Sequence, residues 1–188
     1  MKIKFAKVIR FISIPPFVIS LLALILSLTK MITWLEALYA ITFLGAISLL
    51  AYPFAALIDK NKETRRKTMR KMAFVFTFIG YTAGFIFSLL MPLSDVANLI
   101  FQAYFISAIF LLITNGIFKF KASGHMTSIT GPLVILAFYL PTYVIIPCLI
   151  FYVLVYWASL ILKRHTRLEM IFGTVIVFFA FFAVQLLV

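Results

Sequence analysis

A series of long apolar blocks, separated by short segments that hold most of the charge, is the feature that most constrains this sequence. A helix of about 20 apolar residues crosses the roughly 30 Å of hydrocarbon in a bilayer. Of the 188 residues 65% are hydrophobic and only 12% are charged, too few polar side chains to coat a soluble globule. The blocks lack the two-residue alternation of a membrane barrel. We therefore predict an all-α, polytopic transmembrane helical bundle of six to seven spans, built as a single integral membrane domain over residues 1–188.

Prolines and charged residues divide the blocks into predicted spans. With seven spans, the boundaries fall at about residues 8–29, 34–58, 72–91, 96–117, 127–140, 143–162 and 168–188. The fifth block is short for a complete crossing. Pro15 and Pro16 predict a kink or a late helix start in the first span. The charged segment 59–71 predicts a loop or a surface helix, and residues 92–95 predict a turn.

Lysine and arginine are distributed unevenly between the two predicted faces. With seven spans, 16 of the 17 Lys and Arg residues fall on the face that holds the N-terminus, and only Lys30 falls on the other. Because cytoplasmic segments carry such an excess, we predict a multi-pass protein of the cell membrane with this basic face in the cytoplasm. The net charge of +12 fits anionic lipid headgroups, since no basic helix is interleaved with aromatic residues. We expect membrane lipids as partners and no nucleic acid, and the sequence leaves a homo-oligomer open.

Both histidines of the chain lie in polar segments of the predicted basic face, His125 in segment 119–127 and His165 in segment 163–169. A phosphate ester requires cations, hydrogen-bond donors, a nucleophile and an acid for its leaving oxygen. Histidines with pKa values near neutrality suit the last two roles. Glu169, four residues after His165, lies on the same face if the helix has begun there, and can then hold that imidazole. The two segments therefore predict a phosphate site.

Candidate phosphate ligands surround these histidines in the sequence. The donors are the Ser123 hydroxyl and the Gly124 amide, since a glycine lets the backbone approach an anion closely. The candidate cations are Lys121, Arg164, Lys60, Arg65 and Arg66. The basic segment that holds the last three also fits a simpler role in setting topology and binding lipid.

The run Lys121-Ala122-Ser123-Gly124-His125, followed by Arg164-His165-Thr166, resembles the type 2 phosphatidic acid phosphatase (PAP2) superfamily, in a divergent branch that reads Lys-x-Ser-x-His and Arg-His-Thr. The resemblance covers roughly residues 59–175 and implies a PAP2-like bundle. It implies a phosphatase that hydrolyses a lipid phosphate or pyrophosphate, such as phosphatidic acid, phosphatidylglycerol phosphate or a polyprenyl phosphate.

The same resemblance implies a role for each site residue. His165 attacks phosphorus and forms a phosphohistidine, His125 protonates the departing oxygen, and Glu169 orients His165. Lys121, Ser123 and the Gly124 amide hold the phosphate. This chemistry needs no metal, and no Cys/His cluster of the sequence has metal-ligand spacing, so we expect neither a metal nor a cofactor.

The chain departs from the family at the position of a phosphate-binding arginine, where it has Ser159, and at the serine before it, where it has Ala158. Arg164 replaces that arginine only if its guanidinium reaches the same pocket. The sequence therefore also fits a non-catalytic PAP2-like protein that binds anionic lipid or a partner helix. A small transporter is disfavoured, because no carboxylate falls at mid-membrane depth to couple an ion.

Overall fold

The computed structural model describes residues 1–186, apart from the side chains of Lys62 and Arg66. Within this range the secondary structure is helical, without a strand. The main helices are α1 (Lys2–Ile12), α2 (Pro15–Leu28), α3 (Trp34–Ile58), α4 (Lys62–Leu90), α5 (Asp95–Ile117), α6 (Gly124–Tyr139), α7 (Ile145–Ile161) and α8 (Arg167–Gln185). Two of them contain π-helical turns, α3 at Ile41–Ala46 and α5 at Ile113–Ile117.

Five of these helices are long and apolar enough to cross a membrane: α3, α4, α5, α8, and α7 together with the turn before it. The bent pair α1 and α2 makes a sixth if it is counted as one span. The outer surface is apolar, and Leu57 and Leu90 are each 75% exposed. Apolar surface on this scale fits lipid rather than water. The all-helical prediction with several candidate spans is confirmed.

The prediction of seven spans is only partly met, because α6 has 16 residues and falls below the length of the other candidates. The predicted shortness of this fifth block is confirmed. α6 follows α5 and is joined to α7 by a short loop. The last predicted span extends to Val188, which lies outside the described residues.

The first predicted span is broken at the two prolines that predict a kink or a late helix start. α1 ends at Ile12, and α2 begins at Pro15 after a bend of 57°. Ile14 takes the extended conformation that a residue before proline favours, and Pro15 and Pro16 occupy the first turn of α2, where no amide partner is lost. The predicted kink is therefore confirmed, and the basic N-terminus forms a separate helix.

The charged segment 59–71 is not a separate surface helix or loop. From Lys62 onward it forms the first turns of α4, which continues without a break into the apolar part of the same helix. The Asn61 side chain accepts from the Glu63 amide and caps the helix start. Lysine, arginine, glutamate and methionine are all good helix formers, which explains the early start.

The bundle packs around two apolar clusters. The larger one lies among α2, α3, α5 and α6 and includes the fully buried Leu22, Leu44 and Phe101. The smaller one joins α1, α6, α7 and α8 through small and medium side chains, including Ala6, Met126 and Ala158. It lies directly beneath the ends of these helices, where both histidines are found, and fixes their relative positions.

Candidate functional site

The turn between α7 and α8 presents His165. The amides of Lys163 and Arg164 donate to the carbonyls of Leu160 (2.9 Å) and Ser159 (3.1 Å), the two bonds of a Schellman helix end. Lys163 occupies the left-handed position with φ of 49°, where glycine is more usual. Thr166 then caps the start of α8, so that His165 is held between a helix end and a helix start.

Glu169 binds the His165 ring. Its Oε2 lies 2.8 Å from Nδ1 of His165, and its Oε1 lies 3.7 Å from Nζ of Lys121. Because a carboxylate can only accept, Nδ1 carries the proton and Nε2 keeps its lone pair. Glu169 also accepts from the Thr166 amide and completes a capping box at the start of α8.

Side-chain hydrogen bonds hold the segment before α6 and the start of that helix. Asn115 Oδ1 accepts from the Ala122 amide at 2.6 Å. The Ser123 side chain is fully buried, and its Oγ accepts from the Met126 amide at 3.3 Å as the cap of α6. The amides of Gly124 and His125 begin the helix, where backbone donors have no acceptor within the helix.

Two hydrogen bonds join this segment to α8. The Ser123 amide donates to the Glu169 carbonyl at 2.8 Å, and the Thr127 hydroxyl donates to the Gly173 carbonyl at 3.0 Å. The absence of a side chain at Gly173 permits this approach, because a Cβ there would lie 2.5 Å from the Ser123 carbonyl oxygen. The two histidine segments are therefore held together by backbone contacts.

The N-terminal helix reaches the same place. Ser13, at the break between α1 and α2, has its Oγ 3.1 Å from Nε2 of His125. Arg10 donates from Nη1 to the Ser159 hydroxyl at 3.1 Å. Arg10 thus contacts the position at which the family resemblance expects an arginine.

A cationic cleft of about 490 Å³ opens beside His165. Its lining comes from α1, from the first turns of α4 and from the end of α7 with the turn that follows. The charged lining residues are Lys7, Arg10, Arg70 and Arg164, and no carboxylate of the described part of the chain lines it. A cleft of this composition attracts an anion.

Burial lowers the pKa of both histidines. For His125 burial is the main cause, the charges of Arg10 and His165 add to it, and the pKa falls to about 3. For His165 burial also lowers the pKa, and Glu169 opposes the change. The expectation of a pKa near neutrality is therefore wrong for His125, whose ring is neutral at pH 7, whereas the pKa of His165 is lowered from its ordinary value.

The candidate residues of the two histidine segments come together in part. His125, Ser123 and Gly124 lie at the start of α6, and His165 and Glu169 lie at the start of α8. Lys121 is exposed beside Glu169, and Arg164 is exposed and lines the cleft.

Two of the candidates from the basic segment 59–71, Lys60 and Arg65, do not line the cleft. Lys60 is exposed, and the Arg65 guanidinium donates to the carbonyls of Asp59 and Lys60. The Arg66 side chain lies outside the described residues. Arg70, from the same segment, lines the cleft.

The residues that sequence reasoning missed are Arg10, Ser13, Lys7 and Arg70. Lys4, Lys7 and Arg10 recur every third residue, a spacing that places them near one face of a helix. That spacing was a usable signal for a basic helical face. It gave no sign that the face would lie against Ser159, which is 149 positions away.

Within residues 1–186, no group of three or more His, Cys, Asp or Glu side chains is arranged to hold a metal ion. Comparisons of the chain with protein-family models, with curated proteins and with solved structures found no match. Function is therefore argued from the site itself.

Proposed function

We propose that the protein is a membrane phosphatase that hydrolyses a lipid phosphate or pyrophosphate through a phosphohistidine on His165. The observation that carries the proposal is the 2.8 Å contact between Glu169 and Nδ1 of His165, beside a cleft lined by four cationic side chains. This contact leaves Nε2 with its lone pair as the candidate nucleophile, and His165 lines the cationic cleft. The resemblance of the two histidine segments to the PAP2 superfamily supports the same reading.

In the first step, Nε2 of His165 attacks phosphorus and the bond from phosphorus to the lipid oxygen breaks. The leaving oxygen takes a proton from His125, and the alcohol or the shortened phosphate departs. In the second step a water attacks the phosphohistidine and gives its proton to His125, and the phosphorus–nitrogen bond breaks to release phosphate. Glu169 holds His165 in one tautomer and stabilises the positive charge that the ring develops.

The acid role of His125 requires that this residue gain a proton when substrate binds. Its pKa is lowered to about 3, mainly by burial, and the charges of Arg10 and His165 lower it further. A phosphate monoester brings up to two negative charges, which favour the protonated ring. Binding of the substrate therefore favours the protonated form of His125 that the acid role requires.

The proposed substrate is drawn laterally from the bilayer, its phosphate in the cationic cleft and its hydrocarbon chains in lipid. We propose that this basic face is cytoplasmic, from the excess of Lys and Arg at it. Phosphatidic acid, phosphatidylglycerol phosphate and polyprenyl phosphates all fit this description.

A non-catalytic protein that binds anionic lipid is the second candidate. Ser159 at the family's arginine position and the low pKa of His125 favour it. In this alternative the cleft holds a lipid phosphate without cleaving it.

Phosphate release by the purified protein in detergent, from a panel of lipid phosphates and diphosphates, tests the proposal. We expect turnover of at least one substrate, abolished in His165→Ala and reduced by about 100-fold or more in His125→Ala. Lys30→Ala, at the opposite end of the bundle, is the matched control and should keep full activity. A folded protein without turnover on any substrate, or turnover that both histidine variants leave unchanged from wild type, would favour the non-catalytic candidate.

A further inference from the structure

We infer that Arg10 is a phosphate ligand of this site, supplied by the N-terminal helix in place of a side chain at position 159. The inference rests on the proposed function for its substrate, a lipid phosphate, and adds a residue from an element outside the region of family resemblance. Three observations carry it: the charge of the cleft, the partner of Arg10, and the packing of α1 against α7.

The charged side chains that line the cleft, among the described residues, are all cationic. Lys7 and Arg10 from α1, Arg70 from α4 and Arg164 after α7 line it together with His165. Gathering four cations costs free energy through mutual repulsion, which a bound anion relieves. A phosphate group has the charge and the oxygen acceptors to bind these side chains.

The partner of Arg10 is neutral. Its guanidinium is half-buried and donates one hydrogen bond to the Ser159 hydroxyl, and the ion pairs among the described side chains do not include it. A guanidinium has five donors in a planar fork that matches phosphate oxygens. Arg10 therefore keeps donors for a ligand in the cleft.

The packing of α1 explains why the arginine comes from this helix. Ala6 and Ile9 on α1 pack with Val155 and Ala158 on α7, in the smaller apolar cluster. Ala158 and Ser159 are small and fully buried, which allows α1 to lie close. An arginine at position 159 would need the space that the Arg10 guanidinium now occupies. Only one of the two positions can therefore supply a guanidinium here.

The position of Arg10 relative to the two histidines fits its role as a phosphate ligand. His165 lines the same cleft as Arg10, and His125 contacts Ser13, three residues after Arg10. Burial is the main cause of the lowered pKa of both rings, and the charge of Arg10 adds to it. A phosphate bound to Arg10 would thus lie beside the proposed nucleophile.

The test uses the full-length protein in detergent and compares Arg10→Ala, the double variant Arg10→Ala/Ser159→Arg, and Lys4→Ala. Lys4→Ala is the matched control, since it removes a charge of the same helix that does not line the cleft. Two quantities are measured for each: kcat/KM on the best lipid phosphate, and binding of inorganic phosphate by calorimetry. We expect Arg10→Ala to lose about 100-fold or more in kcat/KM and to lose phosphate binding. The double variant should recover at least part of both, and Lys4→Ala should match wild type.

The phosphate-binding measurement keeps the inference falsifiable if the double variant does not fold. Unchanged phosphate affinity in Arg10→Ala would overturn it, whatever the turnover. If wild type and Arg10→Ala turn over substrate equally, the Arg10 inference fails and the phosphatase proposal stands. If wild type binds phosphate through Arg10 but shows no turnover on any substrate, the phosphatase proposal fails and the Arg10 site stands.

Discussion

Glu169 makes two kinds of contact with a single carboxylate group. It accepts from the Thr166 amide, which stabilises the start of α8, and it lies 2.8 Å from Nδ1 of His165. The first contact needs only an acceptor, whereas the second also needs negative charge if His165 is to become positive during reaction. The two roles can therefore be separated by substitution.

Glu169→Gln removes the charge and keeps a side chain that suits the third position of a capping box. We expect kcat to fall by about 100-fold or more, because the ring of His165 loses its charge partner and its fixed tautomer. Thermal stability should change little. The measurement is phosphate release, with a thermal unfolding curve for the same preparation.

Thr166→Ala is the matched control for that variant. It removes the hydroxyl that accepts from the Glu169 amide at 3.3 Å and leaves the carboxylate beside His165. We expect a loss of about 1 kcal/mol in stability and nearly full activity per folded molecule. Equal losses of activity in both variants would show that the helix start matters and the charge of Glu169 does not.

The buried, neutral His125 predicts a stability that depends on pH. Its pKa is about 3 in the folded protein and roughly 6.5 when unfolded, so the folded protein binds fewer protons between these values. Stability is therefore lost as pH falls below about 6.5, by ~2 kcal/mol at about pH 5. Thermal unfolding at about pH 7.5 and pH 5 should show a smaller drop in His125→Gln than in wild type. An identical drop in both would contradict the burial of a neutral ring.

At the scale of elements, the site depends on how closely α8 approaches the start of α6. The Ser123 carbonyl and the Thr127 hydroxyl both lie against Gly173. Because α8 carries Glu169 and follows His165 directly, its distance from α6 sets the distance between the two histidine segments. No side chain larger than hydrogen fits at this contact without movement.

Gly173→Ala should therefore lower activity although it is remote from the chemistry. The new Cβ would lie 2.5 Å from the Ser123 carbonyl oxygen, so α8 must shift outward and carry Glu169 with it. We expect a loss of at least tenfold in kcat, because moving a catalytic group by about 1 Å lowers the rate by about tenfold or more. Gly116→Ala is the control, since a Cβ at Gly116 meets nothing within 4 Å. Full activity in Gly173→Ala would contradict this account of the contact.

The elements could be predicted from the sequence wherever a local signal marks them. Hydropathy gave the apolar blocks, and Pro15 and Pro16 gave the bend after α1. The continuous start of α4 does not follow from the charge pattern, because charge favours a boundary whereas residues 62–71 consist largely of helix formers. The spacing of four residues between His165 and Glu169 correctly predicted a contact, although His165 precedes α8 and Glu169 reaches back to it from the first turn of that helix.

At the scale of the whole molecule, basic residues from distant parts of the chain meet at one end of the bundle. Arg10, Arg70 and Arg164 line one cleft, and Lys121 lies beside Glu169. The sequence predicted that these segments share a face, because the number of spans between two segments decides whether they lie on the same side of the bundle. It could not predict that Arg10 contacts Ser159, since no local pattern specifies which side chains meet across 149 positions. The side of the membrane on which this end lies stays a prediction.

The central claim is that His165 carries the phosphoryl group, and trapping that intermediate tests it most directly. Wild type is mixed with a lipid substrate labelled in its phosphate, quenched in alkali within the first turnover, and digested for mass spectrometry. The account predicts an alkali-stable, acid-labile phosphate on the peptide that contains His165, absent from His165→Ala and slower to form in His125→Ala. Turnover without label on this peptide, or label on another residue, would contradict it.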